Sequence, residues 1–405
     1  MRRAILAIIE YKKEKMSFDN RIKECINLAE ANDIEIVAQI SQKSNSADPI
    51  YGFRSGKMEE LEELIKTTDV ELIVFANNLR MIQITNLANL FNIDVLDRTN
   101  LILDIFKNNA MTKEAKLQTE VAFLKYNLQR YLNLDLDVDR EVGGAVYSKG
   151  KGETKGDLQK RKVYQRIHRL NAELKKISSQ SEISRRMQDK SQLKKVALVG
   201  YTNAGKSSLM NRLLDESDKE SKKVLQKDML FATLDSVCRN VKLLEHNILL
   251  YDTIGFVSDL PHDLVDAFKS TLDVAKEADL LLEVIDVSDE NYLIQKEIVD
   301  NTLKDIGCDQ IKKIVVYNKV DLIDYDNSEG IHISCETGYN IDKLVNEIES
   351  KLFENEVEKI ITLSFESNYL VYKYQDMLII DKIKEDENGI TYKIKGPQSI
   401  VDRFE

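Results

Sequence analysis

The sequence Gly200-Tyr-Thr-Asn-Ala-Gly-Lys-Ser207 directly follows the apolar run Val196-Ala-Leu-Val199. Its spacing fits the phosphate loop G-x-x-x-x-G-K-[ST] of nucleotide-binding proteins. A buried strand that passes through a glycine turn into a helix directs several backbone N–H groups at one point, where a triphosphate can bind. We therefore expect Lys206 to reach the β- and γ-phosphates and the Ser207 hydroxyl to hold Mg²⁺.

A second motif, Asp252-Thr-Ile-Gly255, follows the apolar run Asn247–Tyr251. A carboxylate and a glycine amide therefore stand at the C-terminal end of a predicted strand, which is the edge where ligands bind in open α/β sheets. There Asp252 can reach the Mg²⁺ shell through water. The N–H of Gly255 can reach the γ-phosphate.

Two further motifs favour guanine as the base. Asn318-Lys-Val-Asp321 ends the apolar run Ile314–Tyr317, and Ser334-Cys-Glu336 follows another short apolar run. An aspartate can accept from both the N1–H and the 2-amino group of guanine, whereas adenine offers neither in that arrangement. Asp321 thus predicts a preference for GTP over ATP. We expect Lys319 to lie against the base plane and the turn after the second run to direct a backbone N–H at guanine O6.

A GTPase also needs a threonine that senses the γ-phosphate and Mg²⁺ between its first two motifs. The segment Leu230-Phe-Ala-Thr-Leu-Asp235 offers Thr233 for that role. It is the only threonine between Ser207 and Asp252, which favours this interpretation. A surface threonine in an ordinary loop is the alternative.

Together the motifs predict a binding site for GTP or GDP with Mg²⁺. The candidate catalytic residues are Lys206, Thr233 and Gly255. The expected Mg²⁺ ligands are Ser207, Thr233 and, through water, Asp252. The expected nucleotide contacts are Gly200, Tyr201, Thr202, Asn203, Ala204, Gly205, Lys206, Ser207, Ser208, Phe231, Ala232, Thr233, Leu234, Asp235, Asp252, Thr253, Ile254, Gly255, Asn318, Lys319, Val320, Asp321, Ser334, Cys335 and Glu336.

The composition is that of an ordinary globular protein. The 405 residues are 43% hydrophobic and 31% charged, which suits two or three domains. The run Met1–Ile9 is better interpreted as a buried strand than as a signal peptide, because charged residues follow it at once and a small-residue cleavage site is missing. The four scattered cysteines lack the spacing of a zinc site and favour a reducing, cytoplasmic location. We expect no membrane span, and peripheral membrane association is left open.

Two heptad-spaced seams predict an antiparallel two-helix arm. Their members are Leu117, Val121, Leu124, Leu128 and Tyr131 in the first seam, and Val163, Ile167, Leu170, Leu174 and Ile177 in the second. The stretch between the seams is too rich in glycine for a helix and too short for a domain. We therefore expect a flexible, basic tip at residues 143–156.

The arm and its surroundings are basic although the chain is acidic. Residues 140–195 carry 16 Lys or Arg and 6 acidic residues, whereas the whole chain has a net charge of −11. Such a segment can hold a polyanion at one face of the protein. In the tip, Lys149, Lys151 and Lys155 can meet phosphates, and Tyr147 can stack on an unpaired base. A solvated helix face, or a hairpin that docks on a protein, is the alternative.

The remaining runs predict two more units. Strands are expected at Ala4–Ile9, Ile34–Ala38, Leu72–Phe75, Val95–Leu96, Ile360–Phe365, Met377–Ile383 and Ile390–Ile394, with helices near Phe18–Asn32, Met58–Thr67 and Gln83–Phe91 and a hairpin turn at Glu387–Gly389. The predicted class is α/β. It comprises an N-terminal α/β domain (1–110), the helical arm (111–192), a Ras-like P-loop GTPase domain with a mostly parallel sheet (193–355) and a small C-terminal α+β domain (356–405).

The whole chain resembles the HflX family of translational GTPases. The resemblance rests on the motifs Leu96–Phe106, Glu114–Val121, Gly150–Thr154, Phe231–Asp235 and Asp252–His262. It implies a GTPase that acts as a monomer and binds the large ribosomal subunit and its rRNA. It further implies that the tip, Gly143–Gly156, lies near the peptidyl transferase centre and that the GTP form splits ribosomes.

The sequence departs from the family pattern in the tip. Ala145, Tyr147, Lys149 and Lys151 stand where the family has Gly, Gly, Arg and Pro. Two roles within the family therefore stay open, a housekeeping splitting factor and a divergent paralogue of the kind associated with antibiotic resistance. Outside it, the alternatives are a ribosome-assembly GTPase of the Obg or Era type, which lacks a matched arm, and a nucleotide-gated module that docks on a protein.

Overall fold

The computed structural model of the protein describes residues 1–11, 17–141, 155–189, 193–217, 237–257, 269–323, 330–374, 378–387 and 389–404. Five predicted nucleotide contacts lie outside these ranges, namely Phe231, Ala232, Thr233, Leu234 and Asp235. Residues 143–154 of the predicted tip also lie outside them. In the part of the chain that is described, no helix is both long and apolar enough to span a bilayer.

The N-terminal domain is a four-stranded parallel sheet with helices between its strands. Its elements are β1 (Arg2–Tyr11), α1 (Phe18–Glu30), β2 (Ile34–Ser44), α2 (Ser55–Thr68), β3 (Leu72–Phe75), α3 (Met81–Phe91), β4 (Asp94–Asp97) and α4 (Arg98–Asn109). The strand order is β2-β1-β3-β4. The run Ala4–Ile9 is buried throughout, as expected for a central parallel strand covered on both faces.

Two features of this domain differ from the sequence prediction. Strand β2 continues past the predicted end at Ala38, because its polar second half pairs with β1 as far as Tyr11↔Ser44. Helix α4 was not predicted, since its burial is too extensive to leave a 3.6-residue period. Its fully buried side chains include Leu101, Ile102, Leu103, Ile105 and Phe106. The helix begins at a cap, where the Asp97 side chain accepts from the N–H of Asn100.

The arm consists of α5 (Lys113–Glu141) and α6 (Lys155–Asp189). The predicted seams pack against each other through Leu117, Val121, Leu128, Ile167 and Leu170, with Leu124, Val163, Leu174 and Ile177 at the edge. Arg166 pairs with Glu120 at 2.8 Å, and Lys113 lies 4.0 Å from Glu173. These two pairs show that the helices run antiparallel, as predicted.

The predicted tip is wrong at its C-terminal end. Lys155 and Gly156 belong to α6. A single glycine costs a helix only about 1 kcal/mol relative to alanine, and the good helix formers that follow offset this cost. The side chain of Tyr131, the last member of the first seam, lies outside the described part of the structure.

The GTPase domain is a six-stranded sheet in the order β10-β9-β8-β5-β7-β6. Its elements are β5 (Lys194–Gly200), α7 (Lys206–Ser217), β6 (Val237–Lys242), β7 (Asn247–Asp252), α8 (Lys269–Lys276), β8 (Leu280–Asp286), α9 (Tyr292–Asp305), β9 (Lys313–Asn318), a 3₁₀ turn (Val320–Leu322), β10 (Ile331–His332) and α10 (Ile341–Leu352). Only β6 is antiparallel to its neighbour. The C-terminal ends of β5, β7, β8 and β9 therefore meet at one edge.

The C-terminal domain is a three-stranded antiparallel sheet with short helices. It contains β11 (Glu356–Leu363), α11 (Tyr369–Tyr374), β12 (Ile379–Asp386), β13 (Gly389–Pro397), α12 (Gln398–Val401) and a 3₁₀ turn (Asp402–Phe404), in the strand order β11-β13-β12. Asp386 pairs with Gly389, which confirms the predicted hairpin. A Cβ on Gly389 would lie 2.0 Å from the Leu363 carbonyl oxygen, so the close approach of β11 also requires glycine.

The N-terminal and GTPase domains share one hydrophobic cluster. Leu101 and Phe106 of α4 belong to it together with Phe256 and Val257, which directly follow the Asp252-Thr-Ile-Gly255 motif. Helix α1 consequently lies beside the phosphate loop. A polar cleft of about 340 Å³ separates the two along part of this boundary, lined by Glu24 and by residues of the loop.

Candidate guanine-nucleotide site

The phosphate loop has the backbone that its glycines predict. Gly200 has φ +151°, and a Cβ there would lie 2.2 Å from the carbonyl oxygen of Val284 in β8. Gly205 has φ +96°, and a Cβ there would lie 2.2 Å from the Asn318 side-chain amide. Both positions therefore exclude any side chain. Between them, Asn203 adopts a left-handed φ of +61° and is exposed.

Lys206, the first residue of α7, is folded back onto the loop. Its Nζ donates to the carbonyl oxygens of Gly200 at 3.1 Å and Tyr201 at 2.8 Å. Burial lowers the pKa of this ammonium to about 8, although the nearby carboxylate of Asp252 opposes the shift. A buried cation at this place is suited to a polyphosphate, because phosphate oxygens would compensate its desolvation.

Ser207 and Asp252 form the oxygen-rich end of the site. The Ser207 hydroxyl donates to Asp252 Oδ2 at 2.6 Å, and Asp252 is fully buried. A hydroxyl and a carboxylate are the ligand types that Mg²⁺ accepts, with water completing its shell. The hydroxyl of Thr202 is also buried and has no hydrogen-bond partner in the described part of the chain. These residues therefore fit Mg²⁺ and a phosphate group.

The second motif lies directly against the loop. The Thr253 hydroxyl donates to the Leu198 carbonyl at 2.6 Å, which ties the end of β7 to β5. A Cβ on Gly255 would lie 2.8 Å from the Cα of Thr202 and 2.9 Å from Lys206 Nζ, and because the first of these is a backbone atom, only glycine permits this approach. Phe256 is fixed through its backbone. Its N–H donates to the Gly200 carbonyl at 3.1 Å, and its carbonyl accepts from the N–H of Thr202 at 2.8 Å.

Asn318 connects three of the predicted motifs. Its Nδ2 donates to the Ala204 carbonyl at 3.0 Å, and its Oδ1 accepts from the N–H of Cys335 at 3.2 Å. The next residue, Lys319, has a left-handed φ of +67° and pairs with Asp286 at 2.6 Å. The aspartate that we expect to read guanine, Asp321, follows in the 3₁₀ turn and is exposed.

The Ser334–Glu336 turn closes the base end of the site. Ser334 is fully buried, and its hydroxyl accepts from the N–H of Thr337 at 3.0 Å. Burial raises the pKa of the Cys335 thiol to about 12, so this side chain stays protonated near neutral pH. Because the N–H of Cys335 already donates to Asn318, the N–H of Glu336 is a second candidate for guanine O6.

A hydrogen bond joins the N-terminal domain to the phosphate loop. The Tyr201 hydroxyl donates to Glu24 Oε1 of α1 at 3.2 Å, and the same oxygen pairs with Arg98 of α4 at 2.8 Å. The side chains of Glu24 and Arg98 are 11% and 6% exposed. A buried ion pair of this kind holds its partners in a fixed geometry, and here it holds a residue of the nucleotide loop.

The structure thus brings the predicted residues at 200–208, 252–255, 318–321 and 334–336 to one edge of the sheet. Their nucleotide contacts remain predictions, as does the role of Thr233. Sequence reasoning missed Asp286, although it also ends a buried strand and could have been found by the rule that located Asp252. It also missed Glu24 and Arg98, because nothing in their local sequence links them to a loop so far away in the chain.

Three protein families match successive parts of the chain. The family described as "GTP-binding GTPase N-terminal" matches residues 19–107. The family "GTP-binding GTPase Middle Region" matches residues 109–188, and "50S ribosome-binding GTPase" matches residues 195–319. The three ranges correspond to the N-terminal sheet, the arm and most of the GTPase sheet.

Several relatives are similar over nearly the full length. The GTPase HflX of Caldanaerobacter subterraneus subsp. tengcongensis is 37% identical over 412 residues, covering 99% of this chain and 92% of the relative. That of Escherichia coli K12 is 32% identical over 411 residues, covering 98% and 94%. A GTP-binding protein from Sulfolobus solfataricus, solved in complex with GDP, is 24% identical with a TM-score of 0.46, covering 87% and 99%. The relatives show that the chain belongs to the HflX family of GTPases, P-loop enzymes that bind GTP with Mg²⁺ and hydrolyse it to GDP and phosphate.

Proposed function

We propose that this GTPase associates with the ribosome, binds its large subunit in the GTP form and splits ribosomes into subunits. The observation that carries the proposal is a basic two-helix arm joined directly to a guanine-nucleotide site. The match of residues 195–319 to the family described as "50S ribosome-binding GTPase" supports the choice of partner. The protein would act in the cytoplasm as a monomer.

The arm supplies a surface of the right charge. Exposed basic side chains lie along α6, namely Arg161, Lys162, Arg169, Lys175 and Lys176. Tyr164, which is 52% exposed, lies among them and offers an aromatic face for stacking. Basic side chains bind rRNA phosphates through release of counterions, and this term does not depend on sequence. The tip would then lie near the peptidyl transferase centre.

The nucleotide site supplies the switch. Lys206 would bind the β- and γ-phosphates, Ser207 and Asp252 would hold Mg²⁺, and Asp321 would select guanine. Mg²⁺ neutralises phosphate charge when it is bound. Thr233 and the Gly255 amide would sense the γ-phosphate, so that its loss releases the segments that carry them. These roles follow the motif positions and the geometry described above.

Hydrolysis by the isolated protein should be slow. Many GTPases have a glutamine after the glycine of the second motif, where it orients the attacking water. Here Phe256 stands at that position, and it is only 5% exposed because it packs in the cluster shared with the N-terminal domain. A phenyl ring cannot bind the water. The ribosome would supply the polar group that orients the attacking water, or would order the segments that surround the γ-phosphate.

Sedimentation tests the proposed partner. Ribosomes are incubated with the protein and either GDP or a non-hydrolysable GTP analogue, and the subunits are then separated on a sucrose gradient. We expect the protein in the large-subunit fraction, and more free subunits, with the GTP analogue but not with GDP.

A variant of the arm provides the control. Replacing Arg161, Lys162 and Arg169 by glutamine should weaken sedimentation with the large subunit, most strongly at low salt, and leave GTP affinity unchanged. Co-sedimentation that survives ribonuclease treatment of the subunits and is unaffected by these substitutions would instead identify the arm as a protein-docking hairpin. Binding to precursor subunits alone would indicate an assembly factor.

A further inference from the structure

An arginine of the GTPase domain lies against the turn that closes the base end of the site. Arg212 belongs to α7, the helix that begins at Lys206. Its guanidinium lies beside Gly338, at the end of the turn that starts at Ser334. An ideal Cβ on Gly338 would lie 1.8 Å from Arg212 Nη2 and 2.8 Å from Arg212 Cζ. The tip of the arginine therefore fills the space that a side chain at position 338 would occupy.

Gly338 is fixed by its backbone as well as by this contact. Its φ of +82° is left-handed, a conformation that glycine adopts without strain. Its N–H donates to the Ser334 carbonyl at 2.9 Å, which closes the turn, and its carbonyl accepts from the N–H of Ile341, the first residue of α10, at 3.4 Å. A side chain that packs on Gly338 thus packs on the backbone that sets the shape of the turn.

Hydrogen bonds within the protein use the N–H groups on both sides of Glu336. The N–H of Cys335 donates to Asn318 Oδ1 at 3.2 Å, and the N–H of Thr337 donates to the Ser334 hydroxyl at 3.0 Å. Between these donors lies the N–H of Glu336, which is the candidate for guanine O6. Because a hydrogen bond weakens steeply with poor alignment, this contact depends on where the turn lies relative to the base.

The turn is held from two directions. Asn318 accepts from the N–H of Cys335 near its start, and Arg212 packs on Gly338 at its end. The Nε of Arg212 is buried, so this part of the side chain is enclosed by protein. Burial raises the pKa of the Cys335 thiol and the charge of Arg212 opposes the shift, so the guanidinium is within electrostatic reach of the turn. Loss of Arg212 would leave the end of the turn without this support.

We propose that Arg212 is a positioning residue for base recognition, which holds the turn from Ser334 to Gly338 where the N–H of Glu336 can donate to guanine O6. The inference rests on the proposed role of this turn as the reader of O6. Arginine suits the task because its charge is permanent and its planar end is rigid. Since α7 begins with Lys206, which we expect to bind phosphate, the same helix connects the phosphate end of the site to the base end.

The test measures the base preferences of the full-length protein by competition with labelled GDP. The competitors are GDP itself, 6-thio-GDP, in which sulfur replaces O6 and is a weaker acceptor, and IDP, which lacks the 2-amino group that Asp321 would bind. In Arg212→Met, the preference for GDP over 6-thio-GDP should fall by about threefold or more, because the contact to O6 is weakened. The preference for GDP over IDP should be unchanged. If Arg212 only stabilises the fold, all affinities fall by the same factor and both preferences stay at their wild-type values, which would overturn the proposal.

Two further variants separate the arginine from the turn. Gly338→Ala puts a methyl group into the space of the guanidinium and should also lower the preference for GDP over 6-thio-GDP. Arg239→Met, in β6 at the opposite edge of the sheet, is the matched control and should keep both preferences. If Gly338→Ala lowers the preference and Arg212→Met does not, the turn reads O6 without help from the arginine, and the proposal is wrong. If wild type itself does not prefer GDP over 6-thio-GDP, the turn does not read O6, and the inference fails with that premise.

Discussion

At the scale of single residues, the nucleotide site depends on contacts that are too close to accept larger side chains. Gly200, Gly205 and Gly255 each lie where an added Cβ would come within 3 Å of another atom. Asn318 holds the phosphate loop and the Ser334–Glu336 turn with one side chain. The chemistry of the site is therefore carried by a few polar groups, and their individual roles can be tested by substitution.

Asp321→Asn should exchange base specificity. An asparagine cannot accept from both guanine donors, but its amide can donate to the 2-oxo group of xanthine. We expect GTP affinity to fall at least about tenfold and affinity for the xanthosine nucleotide to rise. Competition binding with labelled GDP measures both. Asp309→Asn, at the opposite end of β9, is the matched control, and unchanged GTP affinity in Asp321→Asn would rule out this assignment.

Lys206→Met should stabilise the nucleotide-free protein while abolishing GTP binding. The folded pKa of Lys206 is about 8, below its ordinary value of 10.5, because burial disfavours the charged form. The charged lysine therefore costs stability below pH 8. Methionine keeps most of the volume of lysine and removes its charge. The free energy of unfolding at pH 7 should therefore rise by roughly 1–3 kcal/mol. Loss of the two hydrogen bonds from Lys206 Nζ to the carbonyls of Gly200 and Tyr201 reduces this gain.

The pH dependence of this difference distinguishes charge from packing. Between pH 8 and 10.5 the unfolded lysine holds more protons than the folded one, so the stability of wild type rises with pH through this range relative to the variant. Urea unfolding at pH 7 and pH 9.5 should show the gap between Lys206→Met and wild type becoming smaller. A gap that stays constant would assign the effect to packing.

At the scale of elements, the sequence predicted what local patterns encode. The heptad seams located α5 and α6 because their apolar positions face only each other, and Val196–Val199 located β5 because both faces of that strand are buried. Helix α4 was not predicted because its burial on all sides leaves no 3.6-residue period of apolar and polar residues. In the site, the motifs gave every strand-end residue except Asp286, whereas Glu24 and Arg98 depend on how two domains pack.

Shortening the arm at residues 143–154 to a minimal turn should abolish ribosome splitting. The predicted tip contains glycines, lysines and a tyrosine but none of the nucleotide motifs. The seam of α5 and α6 has its own hydrophobic cluster, so the helices should remain paired without the tip. Subunit release on a gradient measures the effect, with GTP affinity as the control. Splitting at the wild-type rate would reduce the tip to a spacer.

At the scale of the whole molecule, both the phosphate loop and the second motif are in contact with the N-terminal domain. Tyr201 of the phosphate loop donates to the buried Glu24–Arg98 pair, and Phe256 packs in the shared hydrophobic cluster. Both residues belong to segments whose backbones are hydrogen-bonded to each other. A movement of the second motif on γ-phosphate binding would therefore be transmitted to the N-terminal domain. The arm follows that domain directly in the chain, so it would move as well.

Large ribosomal subunits should accelerate GTP hydrolysis at least about tenfold, since a partner that supplies a missing polar group can contribute far more than this. The physical reason is Phe256, which is buried among apolar residues and offers no group to orient water. A slow intrinsic rate keeps the protein in its binding state until the correct partner provides order at the γ-phosphate. Phosphate release is measured under multiple turnover with large subunits, with small subunits as the matched control and Ser207→Ala as the inactive variant. Fast hydrolysis by the free protein, unchanged on adding large subunits, would contradict a partner-activated switch.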